Sequence, residues 1–212
     1  MPVESRLDGA RGNGQEAQLW LPTYAALCLA FLMSFFVLYA MPVLDQNHSQ
    51  AQRHRQVVAM QARDFGDISV FIAQNGMEAG IEAVLEEDVI ILRLPAATLF
   101  TPGAEYILPA GLNALNQLKD LFIIQHLQNI NIRAYTDDNL LPPGTRFKNN
   151  WELTTLRAAH ILRYLLAQGI EPGRLSAAGF GELEPLFPNT TDNNRAKNRR
   201  IEFVLERRPG KE

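Results

Sequence analysis

Two residues in this sequence, Asp137 and Arg157, have the types and spacing to hold a charged ligand. Asp137 closes an alternating run, Ile130-Asn131-Ile132-Arg133-Ala134, that ends in Tyr135-Thr136. Arg157 stands one or two turns into the amphipathic stretch after a loop containing Pro142-Pro143-Gly144. A strand end and the next helix start can share one rim of a domain. An acid and a base on that rim can grip a small zwitterion, with an ammonium and a carboxylate on one carbon. Each charge-assisted hydrogen bond contributes on the order of 1.5 to 3 kcal/mol when shielded. The same spacing also lets Asp137 and Arg157 pair with each other or cap local backbone. Arg199 and Arg200 precede an apolar alternation, so one is expected to brace the site and the other to face solvent.

Catalytic chemistry finds little footing. Asp137 and Asp138 are adjacent, so their side chains diverge on an extended backbone, which suits no paired acid and base. The nucleophile-elbow, zinc-helix and phosphate-loop patterns are absent from the sequence. The expectation is no enzyme, no cofactor and no metal. His48 and His54 are six apart and do not share a helix face. His126 and His160 are expected inside helices as packing residues. Cys28 is the single cysteine, so no internal disulfide forms. A net charge of -3 gives no case for nucleic acid, and the basic stretch Arg195–Glu212 reads as a solvated strand and terminus.

The elements that position the pair follow from periodicity. Leu19 to Met41 carries no charged residue and as a helix spans roughly 34 Å, enough for a bilayer core. No convincing cleavage site stands near Met41-Pro42, so a retained span is expected over 19–41, after a polar tail over 1–18. Arg6 and Arg11 on one side balance Arg53 and Arg55 on the other, so basic residues barely set the orientation. Residues 42–87 read as a stem and a loosely packed connector. The folded domain is expected over 88–207, with 208–212 as a tail. Val89–Leu94 reads as a strand, and Leu108, Leu112, Leu115, Leu118 and Phe122 keep helical spacing. A second strand ends at Thr136-Asp137. A long helix runs from about Asn149 to Gln168, where Gly169 stops it. Leu175–Phe180 and Ile201–Leu205 read as strands, and 189–197 as a loop with about one helical turn. The fold class is α+β: a β-α-β-α-β-β domain with one mixed sheet and helices on one face.

Val89 to Glu206 resembles the OmpA-like peptidoglycan-binding domain. The resemblance rests on LFTPGAEYILPAG, IRAYTD, NNWELTTLRAAHILRYL and AAGFGELEPLFPNTTDNNRAKNRRIEFVL. It implies that Asp137 takes the ammonium and Arg157 the carboxylate of diaminopimelate in the wall's stem peptide. By the same match Asn150, Thr154 and Arg199 lie at or beside the site. It also implies a periplasmic domain, an inner-membrane span and a cytoplasmic tail. Departures are Ala134-Tyr135, where many members carry Gly-His, and Thr154, where most carry Ser. WLPTYAALCLAFLMSFFVLYAM and the NWEL before Arg157 look like the flagellar stator B subunit (MotB-type). That family carries an ion-binding aspartate where this chain has Ala26. An alanine methyl takes up no proton, and intramembrane carboxylates are kept for function. The leading expectation is a single-pass anchor between membrane and peptidoglycan. The alternative is a working subunit of an ion-driven flagellar motor whose acid comes from elsewhere. The family implies a homodimer and a MotA-like membrane partner.

Overall fold

The computed structural model describes residues 21–86 and 89–208, with side-chain surroundings outside 40–57. The tail expected over 1–18, the histidine side chains at 48 and 54, and residues 209–212 lie outside that description. The chain divides into two compact units, Met1–Gln56 and Val57–Glu212.

Helix α1 runs Leu21–Gln74. Within it Leu21–Tyr39 has a mean hydropathy of 2.1, and among the described residues it is the one helix long and apolar enough to cross a membrane. Leu29, Phe31, Leu32 and Met33 all stand exposed and point in different directions round the helix, so the apolar surface is not confined to one stripe.

The second unit is built on a five-stranded sheet. Its strands are β1 (Glu82–Glu86), β2 (Val89–Pro95), β3 (Gln128–Tyr135), β4 (Leu175–Gly181) and β5 (Arg200–Arg207). Its helices are α2 (Ala96–Leu99), α3 (Pro109–Ile124), α4 (Asn150–Ala167) and α5 (Asp192–Asn198), with a 3-10 turn at Pro172–Arg174. The sheet order is β1-β2-β5-β3-β4. All neighbours are antiparallel except β3 and β4, which are parallel. A parallel pair needs a crossover, and α4 supplies it. Register is fixed by alternation: Leu92 and Ile132 both stand opposite Phe203. A slip of one residue would turn Ile201, Phe203 and Leu205 off the core face. That face joins Leu115, Leu118 and Phe122 of α3 and Ala158, Ile161 and Leu165 of α4 in one buried cluster. The expected mixed sheet with helices is therefore present.

Three differences have physical causes. Sheet and core begin before Asp88: β1 pairs with β2, and Ile68, Ile72, Met77 and Ile81 are buried in the main cluster. Gly66, Gly76 and Gly80 make this stretch look like a connector, yet a Cβ at Gly66 would meet nothing, so that glycine lies over open space. Asp64 fastens the segment, accepting from Gln128 at 3.1 Å and from Arg207 at 2.9 Å. Second, 192–198 is a helix, capped at Thr191, whose hydroxyl oxygen accepts from the Asn194 N–H. Third, His126 sits in an exposed turn after α3, not in a helix.

Arg174 is buried and holds the crossover in place. It donates to the carbonyls of Gln128, Phe122 and Gln125 at 2.8, 2.9 and 2.7 Å. A cation on the last carbonyls of α3 offsets the negative end of that helix. Burial pushes its guanidinium below the usual value, with Arg208 adding to the push. Arg174→Ala leaves those acceptors without the charge and is expected to cost about 2 kcal/mol of stability, read by urea unfolding.

Candidate functional site

Asp137 and Arg157 line one cleft of about 310 Å³. Its walls come from the start of α2, the turn after it (Phe100, Pro102, Gly103), the loop after β3 (Asn139, Leu140, Leu141, Pro142) and the start of α4. Leu140 on this rim is 95% exposed.

The helix that carries Arg157 is started by its own sequence. Asn149 caps α4, accepting from the Glu152 N–H at 2.9 Å, and Glu152 reaches back to the Lys148 N–H at 2.8 Å. These bonds satisfy amide donors at the helix entry. Arg157 is 4% exposed. Its Nε donates to Ala104 O at 2.8 Å and its Nη2 to Thr101 O at 2.9 Å. The guanidinium lies 4.9 Å from the Phe100 ring centroid. Burial draws its pKa down to about 10, and Glu105 opposes the shift. Glu105 is itself buried and paired with Arg146. Arg157 thus fixes the Thr101–Ala104 turn and presents its remaining donors to the cleft.

Asp137 is 3% exposed. It does not pair with Arg157. Its Oδ2 accepts from Arg199 Nη1 at 2.5 Å and from Asn139 Nδ2 at 3.0 Å. Arg199 therefore braces the acid, while its side chain remains 43% exposed. The companion expectation for Arg200 fails: Arg200 is 5% exposed rather than solvent-facing. It lies on the opposite face of β5, bonded to Glu202 at 2.8 Å and 3.7 Å from the Tyr135 ring centroid.

Asn150 ties three segments together. Its Nδ2 donates to Asp137 O, Asn139 O and Glu182 Oε2 at 3.3, 3.0 and 2.8 Å. It lines the cleft. Its Oδ1 is buried with no partner among the described residues. Thr154 is not among the lining residues. It is fully buried, and its hydroxyl accepts from the Gly181 N–H at 3.0 Å, clasping the end of β4. Its position on the inner side of α4, just past the first turn, directs it at the sheet. Ala26 lies in α1, in the other unit. Among the described residues no group of three His, Cys, Asp or Glu side chains is placed to hold a metal ion.

Sequence reasoning missed Asn198. Its fully buried amide accepts from the Phe187 N–H and donates to Phe187 O and Asn189 Oδ1, fastening the loop before α5. The long polar match around Asn189–Asn198 was the available signal.

Tyr135 backs the site from the opposite face. It stacks on Phe180 at 4.8 Å, and its hydroxyl meets Glu184 at 3.4 Å. Burial, then the Glu202 carboxylate, pushes its phenol up to about 12, while Arg200 pulls the other way. An unfolded tyrosine ionises near 10, so the folded state keeps its proton longer. The stability this supplies is whole below about pH 10 and is lost as pH rises toward 12. Tyr135→Phe is expected to lose about 1 kcal/mol less than the parent between pH 9.5 and 11, read by urea unfolding.

Comparison with known proteins places the same region. The OmpA family model matches residues 99–199. A solved structure described as a putative MotB like protein from Desulfovibrio vulgaris is 50% identical, covers 73% of this chain and 96% of its own, and superposes with a TM-score of 0.71. Motility protein B of Helicobacter pylori is 34% identical over 143 residues, 63% of this chain. The Peptidoglycan-binding protein ArfA of Mycobacterium tuberculosis is 32% identical over 99 residues. The chain spans about half the length of the Motility protein B relative, 52%, and 29% of ArfA.

Proposed function

The chain belongs to the OmpA family as a MotB-like member, and from that premise we propose that it anchors a membrane to the cell wall. Val57–Glu212 binds peptidoglycan, and Leu19–Met41 spans the inner membrane once. Residues 1–18 lie in the cytoplasm, 42–56 form the stem, and the domain stands in the periplasm. The ligand is the free end of diaminopimelate in the stem peptide. Asp137 accepts from its ammonium, and Arg157 donates to its carboxylate. Asn150 shapes the rim, Arg199 braces Asp137, and Thr154 holds the scaffold beneath them.

The observation that carries this reading is the convergence of Asp137, Arg157 and Arg199 on one cleft. An acid and two cations there match a ligand with charges of both signs. The protein binds and does not turn over its ligand, and it acts as a homodimer beside a MotA-like membrane subunit. The relatives named for motility favour a second reading, an ion-driven motor subunit. Leu21–Tyr39 contains no acid, however, and the carboxylate must then come from the partner.

The test uses the full chain in detergent, sedimented with purified sacculi. Sacculi containing diaminopimelate are expected to carry it down, and sacculi with lysine at that position to leave it in solution. Equal sedimentation with both would overturn the proposed ligand. Ion flux in cells making this chain with its partner gene would establish the motor reading, and its gain only in Ala26→Asp would show that the missing acid is what keeps the parent from conducting.

A further inference from the structure

The cleft carries more positive charge than a simple zwitterion requires. Of its lining residues only Asp137, Arg157 and Arg199 ionise, one anion against two cations. The acids nearby do not correct this. Glu105 is matched by Arg146, Asp138 by Arg195, and neither lines the cleft. Glu182 accepts from Asn150 and lies outside the lining as well.

The two cations are held differently. Arg157 is buried, with its Nε and one Nη2 hydrogen committed to the Thr101–Ala104 turn. It cannot swing. Arg199 is half exposed and makes one bond, from Nη1 to Asp137. Its Nε and Nη2 have no partner among the described residues, which leaves an open fork suited to a carboxylate. When a ligand ammonium reaches Asp137, that bond is shared, and the excess positive charge falls on Arg199.

We infer that the cleft reads a second carboxylate of its ligand, held by Arg199. This inference rests on the reading of Asp137 and Arg157 given above. In a stem peptide the group of that chemistry is the α-carboxylate of the γ-linked glutamate preceding diaminopimelate. The cleft therefore discriminates between wall peptides in which that carboxylate is free and those in which it is an amide. An amide cannot take up the guanidinium's charge, and it brings N–H donors toward donors.

The experiment titrates the full chain in detergent with N-acetylated stem tetrapeptide in two forms, acid or amide at that glutamate. The acid is expected to bind about tenfold tighter than the amide. In Arg199→Gln the ratio falls to about one, whatever the absolute affinity. Arg199→Lys keeps the charge and keeps a preference for the acid. Equal affinity of the parent for both forms, or a ratio unchanged in Arg199→Gln, would overturn the inference alone. If Asp137→Ala binds both forms like the parent, the underlying site is wrong and the inference goes with it.

Discussion

Asp137→Ala and Arg157→Ala are each expected to weaken binding to diaminopimelate-containing sacculi by at least about a hundredfold, on the order of 2.7 kcal/mol. The two losses arise differently. Asp137 is buried and paired, so its removal deletes the ammonium's acceptor and leaves Arg199 without its partner. Asp137→Asn keeps the shape and loses the charge, and it should bind almost as poorly. Arg157 supplies charge to the cleft and also ties down Thr101 and Ala104. Arg157→Lys keeps the charge without the planar fork, so it is expected to recover only part of the affinity. A thermal midpoint measured alongside separates lost binding from lost fold. Sedimentation of both alanine variants like the parent would remove this cleft from the account.

The largest expected loss of stability comes from a residue with no side chain. A Cβ at Gly179 would lie 2.2 Å from Thr155 N and 2.5 Å from Thr155 Cα. Those atoms are helix backbone, so neither can turn aside. Gly179→Ala must push α4 away from β4, the contact on which the crossover depends. Overpacking of this kind costs about 3 kcal/mol or more where backbone must move. The same displacement would shift Arg157 two residues further along α4. Urea unfolding is expected to show the loss, with binding reduced even under conditions where the variant remains folded. A variant as stable as the parent would mean the helix and strand are less closely packed than this.

How much of this was legible in the sequence depends on distance along the chain. The alternation of Ile90, Leu92 and Leu94, and of Ile201, Phe203 and Leu205, shows which strand faces are apolar, because side chains repeat every two residues. The cap at Asn149 and the stop at Gly169 are equally local. So Asp137 and Arg157 could be placed on one rim from their elements alone. Their actual partners could not. Asp137 meets Arg199 from 62 residues away, and Arg157 meets Thr101 and Ala104 from 56 and 53 away. Such pairings depend on the sheet order β5-β3, which no local pattern encodes. Arg200 illustrates the same limit: beside Arg199 in sequence, it points to the other face and stacks on Tyr135. The segment before Asp88 failed for another reason. Phe65, Ile68, Phe71 and Ile72 keep helical spacing, but the glycines around them masked a helix that packs on the core.

The most direct test of the central claim is calorimetric titration of the detergent-solubilised full chain with two stem tetrapeptides. One contains diaminopimelate and the other lysine at the same position, so they differ in a single carboxylate on the terminal carbon. The account predicts saturable binding of the first, and affinity for the second at least about tenfold lower because Arg157 has lost its partner. Equal affinity for the two peptides would contradict it.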